Sequence, residues 1–249
     1  MEYAFAAIVF APALALGSFL NVIASRLPRG GSIVYPGSAC DECGTEIHWY
    51  DNVPLLSFLV LRGRCRTCRT PIGWRHPAVE AATAVLVVAC VLAYGVTFEA
   101  AAAAVFAVAL VVVTATDIER RVVPNRVVLP AAGAVLVLRL LDHPSVEWPL
   151  AGLAAAGFLL VAALAYPGGM GMGDVKLALL MGVALGRFVP VALLLGMMAA
   201  IVPSVVLFVR HGSAARKMAI PFAPFLALGS LVALFAGAML LHAYLGILG

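Results

Sequence analysis

The chain has 249 residues, of which 64% are hydrophobic and 11% are charged, and its formal net charge is +4. Soluble domains carry roughly 25% charged residues, so this composition excludes a water-soluble globular domain. Apolar runs of about 20 residues, each long enough to cross a hydrocarbon core of about 30 Å, recur along most of the sequence. The sequence therefore predicts an all-α polytopic membrane protein.

Eight apolar segments are predicted to form transmembrane helices. They cover residues 3–25, 77–94, 98–116, 127–141, 148–166, 175–185, 188–209 and 221–248. The fourth and sixth segments are short, so the predicted count is about eight and seven is the alternative. The first segment is long enough to span and is followed by Arg26 and Arg29, which indicates a retained helix rather than a cleavable signal peptide.

Basic residues are concentrated on one side of the predicted helices. This side comprises the polar block 27–77 and the turns 117–126, 167–173 and 210–219. Because orientation follows Lys and Arg in short loops, this side is predicted to be cytoplasmic, with both termini outside. The sequence thus predicts a first transmembrane helix (1–26), a small cytoplasmic domain (27–77) and a helical membrane core (78–249).

The segment GMGDVK at residues 171–176 places a carboxylate and a lysine, Lys176, in an otherwise apolar part of the sequence. An ionisable side chain in a membrane helix costs roughly 3 kcal/mol or more, so its presence indicates a function. Gly171 and Gly173 permit close backbone approach or positive φ, so Asp174 is predicted at the mouth of a helix. The alternative is that Asp174 only serves as the N-cap of that helix.

Asp117 ends the third predicted span, on the same side as Asp174. Asp117 alone is equally consistent with a helix end in water, beside Arg120 and Arg121. Two close carboxylates do not both ionise easily, so one serves as a base and the other as an acid. In an aspartyl protease, one carboxylate activates water to attack the peptide carbonyl, and the other donates a proton. The two aspartates therefore predict an aspartyl protease site.

Two CxxC pairs in the polar block, separated by 21 residues, supply the four thiols of Cys40, Cys43, Cys65 and Cys68. Four thiolates can hold a closed tetrahedral structural zinc, and the pattern is similar to a zinc ribbon. The alternatives are disulfides or unpaired thiols, although disulfides are rare in the cytoplasm. Cys90 lies in a predicted span and is expected to be an inert packing residue. His48 and His76 are expected at the surface or an interface rather than as ligands.

The segment GMGDVKL at residues 171–177 resembles the GxGD motif of intramembrane aspartyl proteases. Nearly the whole chain resembles the type IV prepilin peptidases of bacteria, with further matching segments in the order of that family. These are GSFLNVIASRLP at 17–28, IHWYDNVPLLSFLVLRGRC at 47–65, RHPAVEAAT at 75–83, the Asp117 segment and PFAPFLALG at 221–229. The sequence departs at Asp41, Asn125 and Ala223, where many members have Pro, Asp and Gly.

The resemblance implies a membrane endopeptidase of the cytoplasmic (inner) membrane, with Asp117 and Asp174 as catalytic residues facing the cytoplasm. Such enzymes cut the short basic leader of type IV prepilins and of type II secretion pseudopilins after a Gly. Many then methylate the new N-terminus with S-adenosylmethionine. The sequence indicates no methyl-donor residues, since it has no Gly-rich nucleotide loop.

The expected partners are prepilin and pseudopilin substrates and membrane lipid, with no nucleic acid. A basic leader requires carboxylates to bind it. The candidates are Asp41, Glu42, Glu46, Asp51, Glu80 and Glu119.

Two other functions compete with the peptidase. A proton-coupled small membrane transporter also places carboxylates in spans, but both aspartates are predicted at helix ends and no internal repeat is evident. A non-catalytic assembly scaffold with a zinc ribbon accounts for the cysteines and leaves Asp174 unexplained.

Overall fold

The computed structural model describes residues 2–27, 30–32, 34–35, 37–166, 170–212 and 220–248. Across these residues the secondary structure is helical, with two isolated β-bridges and no strand. The α-helices are α1 (Glu2–Arg26), α2 (Leu56–Val60), α3 (Arg75–Tyr94), α4 (Phe98–Arg120), α5 (Asn125–Asp142), α6 (Glu147–Ala165), α7 (Met172–Leu185), α8 (Val189–His211) and α9 (Ala223–Leu248). Parts of the predicted turns 167–173 and 210–219 lie outside the described residues.

Helix α1 and helices α3 to α9 correspond, in order, to the eight segments predicted from the apolar runs. The prediction of an all-α polytopic membrane protein is therefore confirmed. The two segments predicted to be short are α5 and α7, with 18 and 14 residues. Six stretches of the described chain are long and apolar enough to cross a membrane. One of them, Met172–His211, contains both α7 and α8, and α5 is not among the six.

The chain forms two compact units, residues 1–96 and 97–249. The first contains α1, the cysteine block and α3, and the second contains α4 to α9. The domain boundary indicated at residue 77 by the sequence stays a prediction.

Helices α1 and α3 pack closely in the first unit because a glycine lies at their contact. A Cβ added at Gly17 would lie 2.7 Å from the Glu80 Cα, so only a residue without a side chain fits there. One turn further along α1, the Asn21 side-chain amide donates to the His76 carbonyl at 3.0 Å. The Glu80 carboxylate accepts the Leu55 backbone N–H at 2.9 Å, which fixes the start of α2 to α3.

Small residues also bring the helices of the second unit together. A Cβ at Gly152 of α6 would lie 2.6 Å from the Val183 side chain of α7, and one at Gly182 would overlap the Ala151 carbonyl. Such small-residue contacts allow the backbones of membrane helices to approach. Helix α7 also contacts α4 and α5, and most of its side chains are buried. The body of α7 is therefore held in place by its neighbours.

A buried arginine ties several helices together at the Leu185 end of α7. Arg139 of α5 donates to the Glu99 carboxylate of α4 at 2.9 Å and to the Ala184 carbonyl of α7 at 2.7 Å. Its guanidinium lies 4.8 Å from the centre of the Trp148 ring of α6. Loss of the Glu99 carboxylate would destabilise the fold, because the buried Arg139 charge would lose its ionic partner. This Arg139 cluster therefore fixes α4, α5, α6 and α7 at one end.

Candidate active site and metal centre

Asp117 lies in the last turn of α4, and its side chain is turned away from water. The residue is 6% exposed, which contradicts the alternative of an aspartate at a helix end in water. Its Oδ2 accepts the backbone N–H of Ala223 at 3.0 Å, and the Phe222 backbone also interacts with the carboxylate. Ala223 is the first residue of α9, and the positive end of a helix dipole stabilises a negative charge. The start of α9 therefore holds Asp117 in one orientation.

Asp174 lies in the first turn of α7, as the flanking glycines predict. The N-cap of α7 is Gly171, so the alternative that Asp174 is itself the N-cap is wrong. Its carboxylate instead reaches back to the backbone of Gly171, which is the geometry of the acidic partner in a capping box. The carboxylate thus lies at the mouth of α7.

The structure brings the two aspartates of the second unit together. Helix α4 contacts α7, and Asp174 lies within electrostatic range of Asp117. A further contact between neighbouring segments is made by Lys176, whose Nζ donates to the Asn125 side chain at 2.9 Å. Two neighbouring carboxylates can divide acid and base roles between them.

At Gly173, α7 passes close to the segment between α4 and α5. A Cβ added at Gly173 would lie 2.7 Å from the Val123 Cβ. A glycine is therefore needed here because a Cβ would not fit. Its backbone conformation is not the reason, since its φ is outside the left-handed region. Sequence reasoning identified Gly173 but missed its partner Val123.

The Ala223 amide is the other part of this site that sequence reasoning missed. Ala223 and Asp117 are 106 residues apart in the sequence, and a backbone N–H has no signature in the residue type. The available signal was the segment PFAPF at residues 221–225, which is rich in proline directly before an apolar run. Proline at a helix start is typical because the first amides lack partners within the helix.

The four cysteines of the two CxxC pairs converge in the first unit. Their sulfur atoms all lie within 4.8 Å of one another, and the Sγ atoms of Cys40 and Cys68 are 3.8 Å apart. None of the described cysteines forms a disulfide, in which the sulfurs would lie about 2.05 Å apart. With Zn–S bonds of about 2.3 Å, a tetrahedral site has sulfurs about 3.8 Å apart. The sulfurs can therefore hold a metal ion.

The two CxxC pairs are matched in geometry as well as in spacing. Cys40 N–H donates to the Thr45 carbonyl at 3.0 Å, and Cys65 N–H donates to the Thr70 carbonyl at 2.9 Å. One isolated β-bridge flanks each pair. An internal repeat with an offset of 25 residues is thus present, which sequence reasoning missed although both pairs read C-x2-C-x-T-x-I-x-W.

Threonine hydroxyls tune two of these thiols. Cys43 Sγ and Thr45 Oγ1 are 3.3 Å apart, as are Cys68 Sγ and Thr70 Oγ1. Hydrogen bonding with Thr45 lowers the pKa of Cys43, and hydrogen bonding with Thr70 lowers the pKa of Cys68 to about 6. Since the thiolate is the form that binds metal, both contacts favour metal binding.

The remaining residues singled out in the sequence lie outside these two sites. His48 is exposed and stacks on Tyr50, His76 is partly exposed, and neither histidine belongs to the sulfur cluster. Cys90 is fully buried in α3.

The candidate carboxylates for a basic leader differ in how they are held. Glu80 is bonded to Leu55, Asp51 forms a two-point ion pair with Arg66 at 2.6 and 2.7 Å, and Glu119 lies 3.5 Å from Arg120. Asp41, Glu42 and Glu46 are exposed in the cysteine block.

The fold and the two sites define a class of protein. It is a multi-pass helical membrane protein with a pair of carboxylates at helix ends and a separate four-cysteine centre. Residues 12–94 match the family model described as the bacterial peptidase A24 N-terminal domain, and residues 104–209 match that of the type IV leader peptidase family. The chain therefore belongs to the type IV leader peptidase family, as the resemblance in its sequence predicted.

Curated relatives match over nearly the whole chain. The prepilin leader peptidase/N-methyltransferase of Bacillus subtilis is 35% identical, over 96% of this chain and 97% of that protein. Proteins of the same name from Burkholderia pseudomallei and Pseudomonas aeruginosa are 32% and 31% identical over 95% of this chain, and the matches cover 86% and 92% of those proteins. No solved structure matches the chain.

Family membership makes the chain a protease, which removes the transporter and the non-catalytic scaffold as alternatives. Together with the apolar helices, it makes the chain a multi-pass protein of the inner membrane.

Proposed function

We propose that the chain is an aspartyl endopeptidase that removes the leader of type IV prepilins and pseudopilins, with Asp117 and Asp174 as its catalytic pair. The observation that carries this proposal is that two carboxylates, from α4 and α7, lie within electrostatic range of each other in a chain of the leader peptidase family. The names of the curated relatives support prepilins as the substrate class.

The reaction requires one ionised and one protonated carboxylate. The ionised carboxylate takes a proton from water as the water oxygen attacks the peptide carbonyl carbon, and the protonated one donates to the carbonyl oxygen. The tetrahedral intermediate then breaks its C–N bond while a proton passes to the leaving nitrogen. The products are the carboxyl end of the leader and a new α-amine on the mature pilin.

The neighbours of the pair support this chemistry by fixing both carboxylates before substrate binds. The Ala223 N–H orients Asp117, and the Gly171 backbone orients Asp174. Holding the reacting groups in place removes part of the entropic cost of reaching the transition state.

We place both the aspartates and the cysteine block on the cytoplasmic side of the membrane. The support is the concentration of arginines in the block and in the turns that follow α4 and α8. A basic leader made in the cytoplasm would reach the pair without crossing the bilayer.

We propose that the metal held by Cys40, Cys43, Cys65 and Cys68 is a structural zinc. The support is the donor set of four sulfurs and the 3.8 Å spacing of Cys40 and Cys68. Four thiolates fill a tetrahedral site, so no position remains for water or substrate. The metal would join the two CxxC pairs and stabilise the block between them.

Replacing one of these cysteines should release the metal. In Cys68→Ser, the zinc content of the purified chain should fall from about one atom per chain towards zero, and the melting temperature should fall because metal binding is coupled to folding. The affinity for zinc should fall by more than the roughly 10- to 100-fold that is typical when a residue hydrogen-bonded to a metal ligand is lost, because a ligand itself is removed. The measurement is metal analysis with thermal unfolding.

The matched control for this experiment is Cys90→Ala, which removes a buried thiol outside the cluster. Its zinc content should equal that of the unchanged chain. Protein purified without chelator that contains no zinc would contradict the assignment.

We further propose that the chain methylates the new N-terminus with S-adenosylmethionine, as the names of its relatives indicate. The α-amine released by cleavage has a pKa of about 8 and must lose its proton before it attacks the methyl group. This step breaks the bond from the sulfonium to the methyl group and forms a nitrogen–carbon bond. It needs a bound donor and a proton acceptor, and it does not need the aspartate pair.

The two activities should therefore separate by substitution. Asp174→Asn should fail to cleave full-length prepilin, yet it should methylate an already cut pilin at a rate within roughly twofold of the unchanged chain, since acid–base catalysis by the pair is not required. The measurement is transfer of label from methyl-labelled S-adenosylmethionine, with gel analysis of cleavage.

Cys68→Ser should show the opposite bias and lose methylation before cleavage. If the unchanged chain cleaves prepilin but transfers no label to cut pilin, the chain is a peptidase only. The aspartyl protease assignment would survive that result.

A further inference from the structure

Helix α2 in the cysteine block exposes apolar side chains. Leu56, Leu59 and Val60 are 61%, 67% and 74% exposed, in a helix of five residues. An exposed apolar patch of this kind marks a surface that contacts a protein, a ligand or a membrane. The position of α2 along α3 indicates which of these three kinds of partner the patch contacts.

Helix α2 lies at the depth of the first turns of α3. The 20 residues of α3 give a length of about 30 Å, which equals the thickness of the hydrocarbon core. Glu80 is five residues after Arg75, the first residue of α3, so it lies about 7 Å along the helix axis from that end. The Leu55 N–H is bonded to Glu80, and α2 begins at the next residue. The apolar side chains of α2 are thus held at the edge of a leaflet.

A groove beside α2 combines aromatic and basic side chains. Its volume is about 570 Å³, and its lining includes Phe58, Leu59, Arg62, Arg64 and Trp74. The rings of Phe58 and Trp74 are 4.9 Å apart, and Trp74 is 77% exposed directly before α3. Tryptophan is enriched at this level of membrane proteins because its ring suits the boundary between headgroups and acyl chains.

The two arginines of the groove are available to an external anion. Both side chains are exposed, and neither forms an ion pair among the described residues. Arg66, in contrast, is engaged by Asp51. Arg62 and Arg64 would repel a basic peptide and attract a phosphate, to which a guanidinium can donate two hydrogen bonds.

We propose that α2 and this groove bind an anionic phospholipid of the leaflet in which α3 begins. The acyl chains lie against Leu56, Leu59 and Val60, and the headgroup phosphate binds Arg62 and Arg64. Trp74 lies between the two regions. The site anchors the cysteine block to the membrane surface, and it does not depend on the catalytic assignment of the aspartates.

A photo-crosslinking experiment tests the acyl-chain contact. A diazirine amino acid is introduced at position 59 of the full chain, in nanodiscs that mix zwitterionic and anionic phospholipids, and adducts are identified by mass spectrometry. Position 85, where Val85 of α3 is 61% exposed, is the control for lipid contact, and position 67 in the second CxxC pair is the control for exposure to water. Position 59 should give phospholipid adducts like position 85, and position 67 should give none.

The headgroup contact is tested by the lipid class in those adducts. Anionic phospholipid should be enriched at position 59 relative to its share in the nanodisc. Arg62→Gln with Arg64→Gln should reduce the ratio of anionic to zwitterionic adducts by roughly tenfold, since each basic residue near an anionic surface contributes to binding. Arg69→Gln is a matched control, because it removes one arginine of the cysteine block from outside the groove. Arg62 and Arg69 have similar positive φ values, 53° and 60°, so the backbone strain of a Gln is similar at both positions.

The zinc content of each variant reports that the cysteine block is folded. Absence of phospholipid adducts at position 59 in a zinc-loaded chain would mean that another molecule covers α2, and it would overturn the proposal. Equal enrichment in the double variant and the unchanged chain would overturn the assignment of Arg62 and Arg64.

Discussion

Asp117→Asn and Asp174→Asn should each reduce kcat/KM for prepilin cleavage by at least roughly 10³-fold, and the double variant should lose no more than either single variant. The reason is that the pair acts as one unit, so the remaining carboxylate has no partner to exchange a proton with. An Asn side chain has nearly the same shape as Asp, so the contact with the Ala223 N–H can persist. The measurement is cleavage by purified protein, with thermal unfolding to show that the fold is retained.

Asp142→Asn is the control for this series, because it makes the same chemical change at the last residue of α5. Its activity should equal that of the unchanged chain. A single Asn variant at either aspartate that keeps a tenth or more of the activity would show that the pair is not the catalytic unit.

Gly173→Ala should reduce kcat/KM by about 10²-fold, although no chemical group is removed. The added Cβ would lie 2.7 Å from the Val123 Cβ, so the first turn of α7 must move. A displacement of about 1 Å in a catalytic group is enough for a loss of this size. The cost in stability should be smaller, since overpacking typically costs about 1–3 kcal/mol. Kinetics and thermal unfolding of the purified chain measure the two effects.

A second substitution gives this prediction a direct check. Gly173→Ala combined with Val123→Ala should recover at least roughly tenfold of the lost activity, because truncation of Val123 makes room for the Cβ. Gly157→Ala in α6 is the control, since a Cβ there meets nothing within 4 Å. Full activity in Gly173→Ala alone would mean that the close approach to Val123 does not position Asp174.

The helices could be predicted from sequence because a membrane leaves a chain few choices. Within a bilayer each backbone amide must be bonded inside its own segment, so a long apolar run forms a helix regardless of its neighbours. This is why even α5, with Arg126 and Arg139 in its sequence, was located correctly. The partners of Arg139 were not predictable, since Glu99 and Ala184 lie 40 residues before it and 45 residues after it.

The parts of the candidate site that are reactive side chains could be predicted from the sequence, and the backbone and packing contacts could not. Asp174 between glycines and Asp117 at the end of a span are unusual residues in apolar surroundings, and the four cysteines have a recognisable spacing. The Ala223 amide and the Val123 contact depend on which helices pack together, and they have no local signature. The same applies to α2, whose depth follows from a single hydrogen bond to Glu80.

The Arg139 cluster fixes α7 at the end of the helix that lies far from Asp174. It fastens α4, α5 and α7 at one end, while Asp174 lies ten residues from Ala184, about 15 Å along α7. With that end fixed, a rotation of α7 about the cluster would displace Asp174 more than any residue between them. A tilt of about 5° then shifts Asp174 by about 1.3 Å, given the helical rise. A substitution in the Arg139 cluster that tilts α7 by this angle would therefore displace Asp174 from about 15 Å away, without altering either aspartate.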